Sequence, residues 1–170
     1  MAYTEADALT QLKTILLTAT VPGQPSLTAG YVLPDEYEDM PQTLSLPCLV
    51  VSKVYNTPNA WRRKAAGLGV HEWRAEALLF AAPGPLTALN ADAATAMMTT
   101  RGWAKALADK LWANQSLNGT AQIIGEPDGD MRRLFQYAEG HVYLASTATF
   151  WGCRFEIAIQ QTHAQNMAAM

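Results

Sequence analysis

Cysteine is nearly absent. The 170 residues hold two, Cys48 and Cys153, too few for a disulfide scaffold. Each sits in an apolar run, which predicts packed, unreactive thiols. Histidine is as scarce, with His71, His141 and His163 far apart. His71-Glu72 opens like a zinc-protease motif, but Ala75 stands where the second histidine belongs. Asp128 and Asp130 flank Gly129 without the further ligands of a calcium loop. Gly67-Leu-Gly69 lacks the third glycine of a dinucleotide cradle, and no serine occupies a nucleophile elbow. These absences predict no cofactor, no metal and no enzymatic activity. Charge is also thin, at 16% of residues against about a quarter in typical globular chains. Twelve basic residues against fifteen acidic give a net charge of −3, which excludes a generic nucleic-acid binder. No apolar run approaches the roughly 18 residues of a membrane span. Met1-Ala-Tyr-Thr-Glu5 lacks the basic and apolar regions of a signal peptide, so the expectation is a soluble, cytosolic chain.

What is present is a well-patterned apolar half, 49% of the residues. The length suits one domain, and a chain of this size buries enough surface to hold a core without staples. Thr4–Ala19 has Leu9, Leu12, Leu16 and Ala19 at helical spacing, with Thr4 as cap and Glu5 and Asp7 in the first turn. Residues 21–43 read as a long proline-rich connection with an acidic second half. Thr43–Val54 reads as a strand with Pro47 at an edge or kink, and Tyr55–Leu68 as a second connection carrying the dense basic cluster. Gly69–Phe80 alternates cleanly. His71, Trp73, Ala75, Ala77 and Leu79 form a packed face, and Val70, Glu72, Arg74 and Glu76 a polar one. A long helix is expected from about Thr87 or Asn90 to Asn114, with Leu89, Ala93, Met97, Ala104, Leu107 and Leu111 as its stripe. Beyond it come a short strand at 121–124, a turn at 126–130 and a hairpin turning at Ala138-Glu-Gly140. A closing strand follows at Phe150–Gln160, and residues 162–170 read as a disordered tail. The order implies an α+β fold: a mainly antiparallel sheet with an N-terminal helix and a long helix packed on one face.

Three stretches carry a likeness to known proteins: Leu46-Pro-Cys-Leu-Val-Val51, Gly69–Phe80 with the helix after it, and Phe150–Ile159. In this layout the chain resembles the tail terminator proteins of long-tailed bacteriophages over about residues 4–161, within a single domain of residues 1–161. The resemblance implies a structural virion protein of the tail and neck, assembled in the host bacterial cytoplasm. It implies a homo-hexameric ring that caps the tail tube, stops its polymerisation and joins the tail to the head connector. Its partners are then other copies of itself, the tail tube protein and a head-completion or connector protein. DNA passes the lumen only as cargo, and no membrane is involved. The alternatives are another neck or head-completion protein, a tail tube subunit, or a small ligand-binding or enzymatic α+β domain.

Three groups are the candidate interface residues: acidic Asp35, Glu36, Glu38 and Asp39; Trp61, Arg62, Arg63 and Lys64, where an aromatic side chain meets a basic run; and the ladder Glu72, Arg74, Glu76. The acidic and basic stretches flank one strand, which predicts that they project from its opposite ends. Their opposite charges suit steering between neighbours. The five tryptophans and six tyrosines suit buried interfaces.

Overall fold

The computed structural model describes residues 4–39, 44–55, 60–64, 68–84, 91–128, 131–144 and 148–164. Helix α1 spans Glu5–Leu17. Thr4 caps it by a reciprocal pair: its Oγ1 accepts from the Asp7 N–H at 3.1 Å, and its own N–H donates to the Asp7 carboxylate at 2.7 Å. These bonds hold the Asp7 carboxyl below its ordinary range, the backbone donor of Thr4 contributing most. The buried face is Ala8, Leu9, Leu12, Ile15 and Leu16, as helical periodicity requires.

The strands are β1 (Ala29–Leu33), β2 (Cys48–Lys53), β3 (Ala60–Lys64), β4 (Leu68–Pro83), β5 (Gln122–Ile123), β6 (Glu126–Asp128), β7 (Met131–Arg133), β8 (Phe135–Leu144) and β9 (Ala148–Ala164). Helix α2 is Ala91–Ala113, followed by a 3-10 turn at Leu117–Gly119. Seven strands form one sheet in the order β1-β2-β4-β9-β5, with β3 on β4 and β8 on β9. Its ladders are antiparallel except β1–β2. The two long strands are its spine: β4 pairs with β9 from Leu68↔Ala164 to Pro83↔Phe150. β2 and β3 share the other edge of β4 in succession, and β8 and β5 share the other edge of β9.

Both helices lie on one face. α1 sits over β1 and β2, and α2 over β4, β8 and β9. One cluster joins them to the sheet through Leu49, Val51, Trp73, Leu79, Phe155 and Ile157. Trp73, Trp103, Phe80 and Phe155 are fully buried, each worth on the order of 1.5–3 kcal/mol of apolar burial. The fold is therefore α+β, as the element order implies. A second, smaller cluster lies on the far face, where Val50, Phe80 and Val142 gather Leu33, Leu44, Leu46, Leu78 and Phe150. Gly152 makes that packing possible. A Cβ there would stand 1.7 Å from the Leu79 carbonyl oxygen and 3.2 Å from Val142.

Several sequence expectations change. The connection at 21–43 contains β1, and the connection at 55–68 contains β3. The expected turn at 126–130 includes β6, which pairs with β7 in a separate two-stranded ribbon. The hairpin does not turn at Ala138-Glu-Gly140. Those residues lie inside β8, where Gly140 takes φ 139°, a conformation that favours glycine. The reversal falls between Leu144 and Ala148, which pair across it. β9 runs on to Ala164, so Thr162–Ala164 belongs to the sheet, not to a disordered tail; residues 165–170 lie outside the described ones. The buried stripe of α2 holds Ala96, Thr100, Trp103, Ala104, Leu107 and Leu111, while Met97 is 38% exposed. Thr100 can lie in that stripe because its hydroxyl donates to the Ala96 carbonyl at 2.8 Å. Leu89 lies outside the described residues, as does the side chain of Ala93.

Candidate functional site

β4 alternates as its sequence dictates, with Trp73, Ala75, Ala77 and Leu79 buried under the helices. Glu72, Arg74 and Glu76 therefore share the opposite face, each half-buried. Register decides what they meet. Glu76 lies directly across from Glu156, Arg74 across from Ala158, Glu72 across from Gln160 and Leu78 across from Arg154. Two like charges opposite each other are unfavourable, and Arg154 resolves the clash. Its Nε pairs with Glu76, and its Nη2 reaches Glu156 at 2.9 Å. Arg74 approaches the same Glu156 from the other side at 3.8 Å, and Gln160 donates to Glu72 at 3.1 Å. Burial pushes the Glu76 carboxyl above its ordinary range. Arg154 opposes that rise, and Glu156 adds to it. Beside this stripe runs a trough of about 540 Å³ lined by Glu76, Leu78, Ala138, Val142 and Arg154, among others. The surface offers paired charges of both signs beside the apolar side chains of Leu78, Ala138 and Val142.

The acidic stretch is split by the structure. Glu36 turns inward. Lys13 donates to its two carboxylate oxygens at 2.6 and 2.7 Å, and the Val32 N–H donates at 2.6 Å. Burial opposes its ionisation, but Lys13 and the Val32 N–H outweigh it, so the carboxyl titrates below its ordinary value. Its role is to pin the turn to α1. Asp35, Glu38 and Asp39 are exposed, with Tyr37 between them at 69% exposure.

The basic stretch forms an edge strand. Trp61 lies opposite His71, Arg62 opposite Val70, Arg63 opposite Gly69 and Lys64 opposite Leu68; the side chains of these four lie outside the described residues. The two stretches do not leave β2 at opposite ends. β1 runs parallel to β2, with Leu33 beside Ser52, so the acidic turn that follows Leu33 starts at the carboxyl end of β2. The chain also leaves β2 at that end on its way to β3. A parallel strand inside the supposed connection reverses the expected geometry.

A further polar group went unread in the sequence. Lys53 donates to both Glu5 carboxylate oxygens at 2.8 Å, and His71 Nδ1 lies 3.4 Å from Glu5. Trp73 Nε1 donates to Gln161 at 3.0 Å, and Gln161 donates to the Thr4 carbonyl at 2.8 Å. This network ties the start of α1 to β2, β4 and β9, and His71 is 4% exposed within it. The polar alternation of Arg154, Glu156 and Gln160 along the closing strand was the available signal for the ladder's partners. For Gln161, which faces inward among apolar neighbours, the sequence offered none.

Cys48 and Cys153 are free and buried, with thiols raised to about 11 and about 12 by burial, Glu139 adding to the latter. Among the described residues, no group of three His, Cys, Asp or Glu side chains is placed to hold a metal ion. None of the described helices is long and apolar enough to cross a membrane. No protein-family model matches the chain, and no curated protein matches it.

Proposed function

We propose that this chain is a structural, non-enzymatic subunit of a bacteriophage tail neck. It assembles as a hexameric ring on the end of the tail tube, stops tube growth and presents a surface to the head connector. It needs no cofactor, and DNA crosses the ring only as cargo.

The observation that carries the reading is the layout: a helix, paired strands, a long helix and a long closing strand, built as one open sheet with both helices on one face. Among the described residues β1 and β8 each have one neighbouring strand, so the sheet ends in two different open edges. Different edges favour heterologous contacts, which repeat from copy to copy and form a ring when the rotation between copies closes. The charge-paired face opposite the helices supplies a surface for stacked partners, with specificity arising from complementary charge.

The test is addition of the purified chain to polymerising tail tube protein of the same virus. Tubes that stop growing and carry a ring at one end support the proposal. Continued growth at saturating chain overturns it.

A further inference from the structure

The face between α2 and β8 has unmet demands of several kinds. Trp112 is 58% exposed, Tyr137 52% and Met97 38%, while most large apolar side chains among the described residues are covered. Helical spacing places Met97, Arg101 and Trp112 along one side of α2, and that side faces β8. Trp112 packs edge-on against Phe135 at 6.3 Å, and Arg101 lies 3.4 Å from Glu139. At the amino-terminal half of α2 this groove deepens into a cavity of about 140 Å³ lined by Met97, Thr100, Arg101, Glu139, Gly140 and Trp151. That volume is well below the roughly 300 Å³ at which small-molecule sites begin, and it suits a single inserted side chain. Trp151 Nε1, at its wall, is a buried donor without an acceptor among the described residues, a costly state that an incoming acceptor relieves. Arg101, 71% exposed, pairs with Glu139 through Nε and brings its remaining guanidinium donors to the rim. An occupant must therefore be acceptor-rich and carry an aromatic or apolar tip.

The chain itself presents such a segment at its opposite edge. The turn after β1 exposes Asp35, Glu38 and Asp39 around Tyr37; β1 ends the strand order on one side, and β8 lies with β5 along the outer edge of β9 on the other. Glu36 and Lys13 hold the turn in place, so ordering it on binding costs little. We infer that the α2–β8 groove receives the Tyr37 turn of a second copy of this chain. Tyr37 enters beside Trp151 and the flanking carboxylates meet Arg101. Because turn and groove are different surfaces, the contact is head-to-tail and repeats from copy to copy. The inference rests on the ring reading and identifies the surface that closes it.

The experiment uses two full-length variants, each spoiled on one surface. The turn variant carries Tyr37→Ala and Glu38→Lys; the groove variant carries Arg101→Glu and Trp112→Ala. The positions are exposed, so circular dichroism should show both folded. Native mass spectrometry of the wild type should show the ring, and each variant alone the 18.5 kDa subunit. Their mixture should show a one-to-one dimer, joined by the intact groove of one and the intact turn of the other. A ring from either variant alone, or no dimer on mixing, overturns this inference while the ring of the wild type stands. A wild type that stays monomeric overturns both.

Discussion

Arg154→Gln tests the charge ladder at its keystone. The substitution removes the cation between Glu76 and Glu156, which are directly opposite across β4 and β9. Two effects add. Charge-assisted bonds to both carboxylates are lost, and two like charges are left facing each other. Fully buried, each charge-assisted bond would be worth about 1.5–3 kcal/mol. The Arg154 side chain is 49% exposed, so solvent screening reduces the total to about 1–2 kcal/mol. For a chain of this size that is roughly 2–8 °C in Tm. The loss must depend on pH. The Glu76 carboxyl is already raised in the folded state, chiefly by burial. A raised carboxyl leaves stability intact below its unfolded value, and that stability drains away as pH rises through the folded value. Removing Arg154 raises Glu76 further, so the variant's deficit is full near neutrality and shrinks as pH falls toward the ordinary glutamate range. Thermal unfolding by circular dichroism at a series of pH values reads both quantities. A variant as stable as wild type at neutral pH, or a deficit of constant size from neutral to acid, would refute the ladder's role.

Other consequences concern packing, the turn and the thiols. Gly152→Ala places a Cβ in the Leu79 carbonyl, and no rotamer relieves that. It should cost about 3 kcal/mol or more in a denaturant titration, the upper end for overpacking, and a loss under about 1 kcal/mol would contradict the close strand approach. Glu36→Gln breaks the pair with Lys13 and should cost about 1 kcal/mol at neutral pH. Because the Glu36 carboxyl is lowered, that contribution is present above the unfolded value and lost as pH falls through the folded one; an effect that persists in acid counts against the pair. Cys48 and Cys153, buried with thiols raised to about 11 and about 12, should resist alkylation at pH 8 until denaturant is added. Rapid labelling of the native chain would contradict their burial.

The spine of the fold is legible because β4 and β9 alternate over long runs, and period two leaves one assignment of faces. The capped α1 is legible for the same local reason. β1 is not. Ala29-Gly-Tyr-Val-Leu33 is short, contains a glycine and shows one buried residue, Val32, so its strand character comes from lying beside β2. β3 was masked by composition, because Trp61-Arg-Arg-Lys64 reads as a surface turn when its pairing to β4 is unknown. The ladder was half legible. Glu72, Arg74 and Glu76 share a face by alternation alone, but their partners depend on a register set by packing of both long strands. Met97 and Thr100 show the limit of a hydrophobicity pattern: the exposed residue is the more apolar, and a local hydrogen bond lets the threonine lie inside. The acidic stretch divides for a similar reason. Nothing in Asp-Glu-Tyr-Glu-Asp distinguishes Glu36 until Lys13 on α1 and the end of β1 are brought to it.

The ring is tested most directly by the mass and shape of the purified chain at high concentration. Native mass spectrometry with negative-stain imaging should give a species six times the 18.5 kDa subunit, seen end-on as a closed ring with an open centre. A single monomeric species across the concentration range, or an open filament in place of a closed ring, would contradict it.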